Sequence, residues 1–201
     1  MKNFVISFIT LILLISCGNS GKNGNNSDLQ KVSVYFANAH MDIPKSYRLV
    51  SPDQMEVHMS KSSQPEDMKT EYINLIEEMK RTKPGYLIYA DSADFDNNIW
   101  FMHIDKVPLT KTSSQAYLGM LEQNLKSRWA PLGVKCQRVE STYSAGAGAS
   151  LLKIKYRLSK GNFTIFATQY IISTNDQMLG IMVNSPIPED YQDLVTKMTF
   201  R

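Results

Sequence analysis

The sequence predicts an α+β fold in which helices flank a mainly antiparallel sheet. Three strands separated by short turns follow one another between residues 150 and 185, and strands joined in this way pair antiparallel. The second and third of them are apolar on both faces, so each face of the sheet needs a covering layer, for which helices are expected. Two other segments, 65–81 and 112–129, have the single apolar face of a helix that packs on a sheet.

The first of these three strands is indicated by its alternation of side chains. The basic residues Lys153, Lys155 and Arg157 alternate with the apolar residues Leu152, Ile154, Tyr156 and Leu158. Turn-forming residues at 160–162 and 175–177 separate the strands. We therefore expect the centre of the domain to be an array of strands linked by tight turns.

The first 16 residues have the layout of a secretory signal peptide. Lys2 gives a positive start, and the apolar run 4–15 is too short to span a hydrocarbon core about 30 Å thick. Residues 14–17, Leu-Ile-Ser-Cys, resemble the lipobox of bacterial lipoproteins. That resemblance implies cleavage before Cys17 and attachment of a diacylglycerol to its thiol, with further acylation, as by palmitate, of the new amino terminus. The alternatives are an ordinary signal peptide that contains a cysteine, or an uncleaved anchor.

The lipoprotein resemblance also implies where the chain resides. Residues 17–30 would be the lipidated cysteine and a flexible tether, and about 11 tether residues reach roughly 18 Å. Residues 31–201 would form a single domain on the periplasmic side of a bacterial cell-envelope membrane, and we expect the outer membrane. The membrane, through Cys17, is then one partner of the chain.

Composition excludes several other classes of protein. A hydrophobic content of 43% and a charged content of 20% are those of a globular domain. The net charge of +3 is spread among interleaved acidic and basic residues, so no nucleic-acid partner is expected. Because Cys17 belongs to the leader and Cys136 to the domain, no internal disulfide is expected.

The first half of the domain contains short strands and a helix. Residues 31–38 predict a strand, and Pro44 predicts a strand end or sheet edge before a further extended segment at 47–50. Ser51 before a proline predicts a short helix. The helix at 65–81 follows, with the apolar face Met68, Tyr72, Leu75, Ile76 and Met79, and a strand pair at 86–90 and 99–104 comes after it, joined by a polar loop.

The second half begins with the helix at 112–129. Thr112 and Gln115 have the spacing of a capping box, and the helix face consists of Tyr117, Leu118, Leu121, Leu125 and Trp129. A strand at 134–143 and a loop at 144–149 lead to the three central strands. A final helix at 188–198 would turn Tyr191, Leu194, Val195 and Met198 inward.

This layout resembles the Mog1/PsbP-like fold, an α/β/α sandwich built on a mostly antiparallel sheet. The matching residues are Asp-Ile-Pro-Lys-Ser-Tyr at 42–47, Ser-Pro at 185–186, Glu-Asp-Tyr at 189–191 and Met-Thr-Phe at 198–200. The resemblance implies a binding or assembly module and no enzyme, and it transfers no binding residue. A cystatin-like or other helix-on-sheet arrangement is the alternative.

Candidate metal ligands occur in the loop before residue 99. Asp94, Asp96 and Asn98 alternate as at the start of a calcium loop, and Asp105 falls where its last ligand would lie. Ile99 occupies the position where such a loop needs glycine. We therefore predict a polar hairpin loop and no metal site.

The other chemically capable residues form no recognisable catalytic motif. His103 and Asp105 lie close in sequence, as do His40 and Asp42, but further partners are missing. We interpret Cys136 as a small strand residue and the glycine-rich segment 146–148 as a mobile loop. Trp100 and Trp129 are interpreted as aromatic residues of the core. We expect no cofactor, and no pair of polar side chains that converges in a cleft with strongly shifted pKa values.

These observations favour a non-catalytic envelope lipoprotein whose domain binds another envelope protein. The alternative is a lipoprotein that binds a small ligand or lipid in a pocket between helix and sheet. An anchored hydrolase is a third hypothesis that no motif supports. A large apolar pocket would favour small-ligand binding, whereas an exposed apolar surface would favour a protein partner.

Overall fold

The chain folds around a seven-stranded sheet that is covered on both faces. A computed structural model describes residues 28–62, 64–82, 85–146 and 148–200. Its strands are β1 (Leu29–Val34), β2 (Ala39–Pro44), β3 (Tyr47–Val50), β4 (Tyr86–Asp91), β5 (Asn98–Ile104), β6 (Lys135–Gly146), β7 (Ala149–Lys160), β8 (Phe163–Thr174), β9 (Met178–Ser185) and β10 (Thr199–Phe200). Its α-helices are α1 (Pro52–Lys61), α2 (Glu66–Thr82), α3 (Lys111–Trp129) and α4 (Gln192–Thr196).

The large sheet has the strand order β3-β4-β5-β9-β8-β7-β6, and every neighbouring pair in it is antiparallel. Every residue of β9 is buried, and β8 buries side chains on both faces. This burial follows from the two layers that cover the sheet. The predicted α+β class, with a mainly antiparallel sheet and flanking helices, is confirmed.

Helices α1, α2 and α3 cover one face of the large sheet. Their buried side chains pack on those of β4, β5, β7, β8 and β9, and the predicted apolar face of α2 lies in this core. Helix α3 begins one residue before its predicted start, and its capping box is made by Thr110 and Ser113, two residues before the predicted pair. The helix that begins after Ser51 is longer than predicted and has ten residues.

A smaller sheet with the strand order β1-β2-β10 covers the opposite face, together with α4. Alternate residues of β1 and β2 are buried, so each of these strands presents one apolar face to the large sheet. The expectation that the cover is helical is therefore only half right, since most of this second layer is a sheet. Short strands with one apolar face cover a sheet as well as a helix does.

Three boundaries differ from those predicted. β1 begins at Leu29, two residues before the predicted start of the domain. The loop predicted at 144–149 is wrong, because Ser144 to Gly146 pair with Leu151 to Ala149 as strands β6 and β7. The last helix begins at Gln192 and not at residue 188, because the backbone amides of Tyr191 and Gln192 donate to side chains of Tyr170 and Asp190.

Candidate functional site

An open groove of about 460 Å³ runs along α1 beside the loop that joins β4 to β5. The residues that line it are Asp53, Gln54, Val57, His58, Lys61 and Phe95. Five of them belong to α1, at positions 53, 54, 57, 58 and 61. Positions four residues apart lie one above the other on a helix, so these five side chains form a single stripe on its surface. The sequence therefore builds one wall of the groove from one face of one helix.

A capping box at the start of α1 determines which residues face the groove. The side chain of Ser51 accepts a hydrogen bond from the backbone amide of Gln54 at 3.2 Å, and Oε1 of Gln54 accepts from the amide of Ser51 at 2.7 Å. Pro52 at the first helical position favours the same start. The rotation of the helix about its axis is set from this end and by the buried Met55 and Met59.

The middle of the groove is apolar and accessible. Val57 is 53% exposed on a helix whose buried residues are Met55 and Met59, so its side chain is accessible from solvent. The ring of Phe95 stacks on the imidazole of His58, with ring centroids 5.0 Å apart and planes inclined by 22°. This contact joins the β4–β5 loop to the helix and keeps an aromatic side chain in the groove wall.

A histidine–carboxylate pair lies beneath this stack. Nε2 of His58 is 3.0 Å from Oδ1 of Asp96, and Asp96 is only 5% exposed. Burial raises the pKa of Asp96 to about 6, although the hydrogen bond to His58 opposes the shift and the nearby carboxylate of Asp94 adds to it. The carboxyl of Asp96 therefore changes its protonation state near pH 6.

The sequence predicts no pair of polar side chains that converges in a cleft with strongly shifted pKa values. This pair departs from that prediction in part, because the two side chains converge beside the groove and the pKa of Asp96 is raised. The convergence involves His58 and Asp96, and not His103 and Asp105, which are both exposed. Among the residues that the structure describes, those that line the groove are Asp53, Gln54, Val57, His58, Lys61 and Phe95. A histidine paired with a carboxylate can bind and orient a polar group.

A cluster of charges closes the amino-terminal end of the groove. Nζ of Lys80 on α2 lies 2.6 Å from Asp53, 2.7 Å from Glu56 and 2.7 Å from Glu77. Hydrogen bonds to these three carboxylates raise the pKa of Lys80 above its usual range. The cluster binds α1 to α2. Its three carboxylates carry more negative charge than the single ammonium can neutralise.

A second polar cluster lies on the opposite face of the sheet, where β7 passes the segment before α4. Lys153 is buried there, and its ammonium donates to Glu140, Asp190 and Gln192. These three bonds use all three N–H donors of the ammonium. The cluster therefore has an architectural role, and it leaves no donor for a ligand.

Apart from Asp96, which faces His58, the alternating polar residues of the loop bond close to their own positions in the chain. Asp94 accepts bonds from the backbone of Asp96 and the side chain of Asn97. Asn98 donates to the carbonyl of Phe95 and accepts from Trp100 at 2.7 Å. These bonds make the polar hairpin loop that the sequence predicts.

The other candidate residues from the sequence are not among the residues that line the groove in the described part of the chain. His40 and Asp42 lie on β2 with different neighbours, and no group of three or more metal-ligating side chains occurs among the described residues. Burial raises the pKa of Cys136 to about 11, although Lys126 opposes the shift, so its thiol is protonated at neutral pH. Trp100 and Trp129 are buried in the core, as predicted.

The predicted lipidation site lies outside the described residues. Cys17, the leader 1–16 and the segment up to residue 27 all precede the described part of the chain. Within that part, none of the helices has both the length and the apolar character needed to cross a membrane.

Comparison with known proteins supports the fold. No protein-family model matches the chain, and no curated protein matches it in sequence. Among solved structures, the chain is similar to the solution structure of cyanobacterial PsbP (CyanoP) from Synechocystis sp. PCC 6803, with a TM-score of 0.55 and 13% sequence identity. The match covers 94% of this chain and 99% of that one. It confirms a PsbP-like fold for the domain.

Proposed function

We propose that this chain is a non-catalytic lipoprotein of the bacterial cell envelope, whose domain binds another envelope protein through the α1 groove. The lipobox-like residues 14–17 support a lipid anchor on Cys17, and the outer membrane is the location that we propose for it. Two or more acyl chains, palmitate among them, hold a protein stably on a membrane, whereas one chain does not. The tether would then keep the domain within roughly 18 Å of the surface.

The observation that carries this proposal is the open, partly apolar groove along α1. Small ligands bind in concave sites that bury most of their surface, whereas protein partners also use shallow surfaces with exposed apolar side chains. The groove is of the second kind, with Val57 exposed at its centre. The PsbP-like fold supports the same interpretation, because the resemblance implies a binding or assembly module.

The interface between helices and sheet does not favour the small-ligand alternative. A pocket there would have to displace buried side chains, among them the large aromatic residues Tyr72, Trp100 and Trp129. Tyr72 and Trp100 are in edge-to-face contact, with centroids 6.2 Å apart. Making room for a lipid chain there would therefore break close packing between large aromatic side chains.

The proposal is tested by capturing partners from membranes of the native bacterium. The tagged full-length chain is compared with Val57→Glu, which places a charge at the centre of the groove, and with Val139→Glu as the matched control. Val139 is 51% exposed, on the edge strand β6 and outside the groove. We expect at least one envelope protein to be retained by the wild type and by Val139→Glu, and to be lost with Val57→Glu.

Quantitative mass spectrometry of the captured proteins distinguishes the outcomes. Circular dichroism of both variants checks that the fold is kept. Recovery of the same proteins with Val57→Glu as with the wild type would refute the groove as the binding site. Recovery of no envelope protein by any form would refute the binding function.

A further inference from the structure

We propose that the α1 groove binds an extended peptide segment in which a large apolar side chain lies between a basic and an acidic residue. This inference rests on the proposed function, because it specifies the partner segment that the groove takes. It follows from three properties of the groove: a negative end, a positive end and an apolar middle.

The negative end is at the start of α1. Asp53 and Glu56 on α1 and Glu77 on α2 surround Lys80, and three carboxylates against one ammonium leave an excess of negative charge. The side chain of Asp53 is 81% exposed even though it contacts Lys80. A basic residue of a partner can therefore reach this carboxylate from solvent.

The positive end is at the last residue of α1. Lys61 is exposed, and within the described part of the chain it forms no ion pair. Of the other ionisable groups that line the groove, His58 is paired with Asp96 and Asp53 with Lys80. A carboxylate of the partner would gain an interaction at Lys61 without displacing an existing one.

The apolar middle lies between these two ends. Val57 and Phe95 line it, and Phe95 is held by its stacking on His58. Asp53 and Lys61 are eight residues apart on one helix, which corresponds to about 12 Å. An extended chain covers this distance in about four residues. The basic and acidic residues of the segment should therefore be about four positions apart, with the apolar residue between them.

The inference is tested with short fluorescent peptides and the full-length chain. The probe Lys-Ser-Phe-Ser-Glu, flanked by glycines, is compared with versions in which Phe is replaced by Ser, Glu by Lys, or Lys by Glu. Fluorescence anisotropy gives the affinities. We expect the first probe to bind most tightly, the Phe-to-Ser version to lose about tenfold, and each like-charged version to lose roughly two- to fivefold.

A charge reversal in the protein makes the test specific. Lys61→Glu should prefer the probe with lysine at both ends over the original probe, whereas Lys111→Glu, on α3 and outside the groove, should keep the wild-type order. The inference would be overturned if all probes that differ in charge bound equally, or if no probe bound. It would also be overturned if Lys61→Glu kept the wild-type order of probe affinities. Val57-dependent capture of an envelope protein is measured independently, so it shows whether the proposed function fails as well.

Discussion

Nζ of Lys153 lies 2.6 Å from Oδ2 of Asp190, and this contact joins the middle of β7 to the segment before α4. The other carboxylate oxygen, Oδ1, accepts from the hydroxyl of Tyr170 at 2.9 Å. That hydroxyl in turn accepts from the backbone amide of Tyr191 at 3.0 Å. The carboxyl-terminal segment is therefore held to the sheet by a chain of hydrogen bonds that passes through one buried ammonium.

Replacing this ammonium should destabilise the domain. We expect Lys153→Met, which keeps the length of the side chain, to lower the free energy of unfolding by about 1–3 kcal/mol, because bonds to a charged group are lost. The loss should stay below the roughly 3–5 kcal/mol that is typical of a fully buried pair, since Glu140 and Asp190 are partly exposed and can be solvated. Urea denaturation measures it.

Lys135→Met on the exposed part of β6 is the matched control. It should change the free energy of unfolding by no more than about 0.5 kcal/mol. Equal effects of the two substitutions, or a stabilised Lys153→Met protein, would show that the buried ammonium does not hold the segment.

The same contact predicts a dependence of stability on acid. Burial alone would raise the pKa of Asp190, but bonds from Lys153, the amide of Gln192 and Tyr170 lower it below its usual range. The ionised carboxylate therefore stabilises the fold above its unfolded pKa of about 3.9, and this contribution is lost as the pH falls through the lower native pKa. The advantage of the wild type over Asp190→Asn should be largest at about pH 5–7 and should shrink below about pH 4.

Urea midpoints measured from about pH 7 to about pH 3 test this prediction. A stability difference between the wild type and Asp190→Asn that is the same at both ends of the range would contradict it. Tyr170→Phe should lower the free energy of unfolding by less than Asp190→Asn does. It removes one neutral hydrogen-bond donor to Asp190 and leaves the ammonium of Lys153 in place.

The sequence predicted the helix faces but could not predict this cluster. An amphipathic helix such as α2 is encoded locally, because its apolar residues recur with the helical period. The partner of Lys153 is 37 residues away and depends on the register of β7 against β8. Alternating lysines look the same in a sequence whether they face solvent or a buried carboxylate.

The carboxyl of Asp96 predicts a pH dependence of stability that is opposite in sign to that of Asp190. Its native pKa, raised to about 6 by burial, exceeds its unfolded value, so the native state binds more protons than the unfolded chain between about pH 4 and pH 6. The contribution of Asp96 to stability is therefore fully present below about pH 4 and is lost as the pH rises through about 6. Asp96→Asn should gain in stability relative to the wild type between about pH 4 and pH 7, by at most about 3 kcal/mol.

Chemical denaturation at these pH values provides the measurement, with the exposed Asp105→Asn as the control. The control should keep the pH profile of the wild type. If Asp96→Asn also keeps the wild-type profile, the pKa of the Asp96 carboxyl is not raised in the native protein.

Sequence reasoning missed the groove because its two halves come from distant segments. Asp96 was considered as a calcium ligand, but its partner His58 is 38 residues away on α1. One local signal was present: Ser51 and Gln54 have the spacing of a capping box, which predicts a full helix and places Val57, His58 and Lys61 on one stripe. The loop that completes the groove depends on the hairpin of β4 and β5, which no local pattern orients toward α1.

The helical cover of the sheet predicts a large difference between two leucines. Leu121 on α3 is fully buried, whereas Leu49 on the edge strand β3 is 58% exposed. Leu121→Ala should cost about 2–5 kcal/mol of unfolding free energy because it leaves a cavity in the core, and Leu49→Ala should cost no more than about 0.5 kcal/mol. Thermal or urea unfolding measures both, and similar losses would refute the packing of α3 on the sheet.

The anchor prediction depends on a single sulfur atom. If Cys17 carries the lipid, Cys17→Ser keeps the size of the side chain but removes the thiol that forms the thioether, so an unlipidated precursor should accumulate. Membrane fractionation alone does not distinguish the lipidated protein from the unlipidated precursor, because the uncleaved apolar run 4–15 can hold the precursor on the membrane. Mass spectrometry of the intact protein distinguishes them, and Cys136→Ser is the matched control. The wild type and the control should begin at Cys17 with added acyl mass, and an unmodified wild-type chain that begins elsewhere would refute both the lipidation and the proposed location.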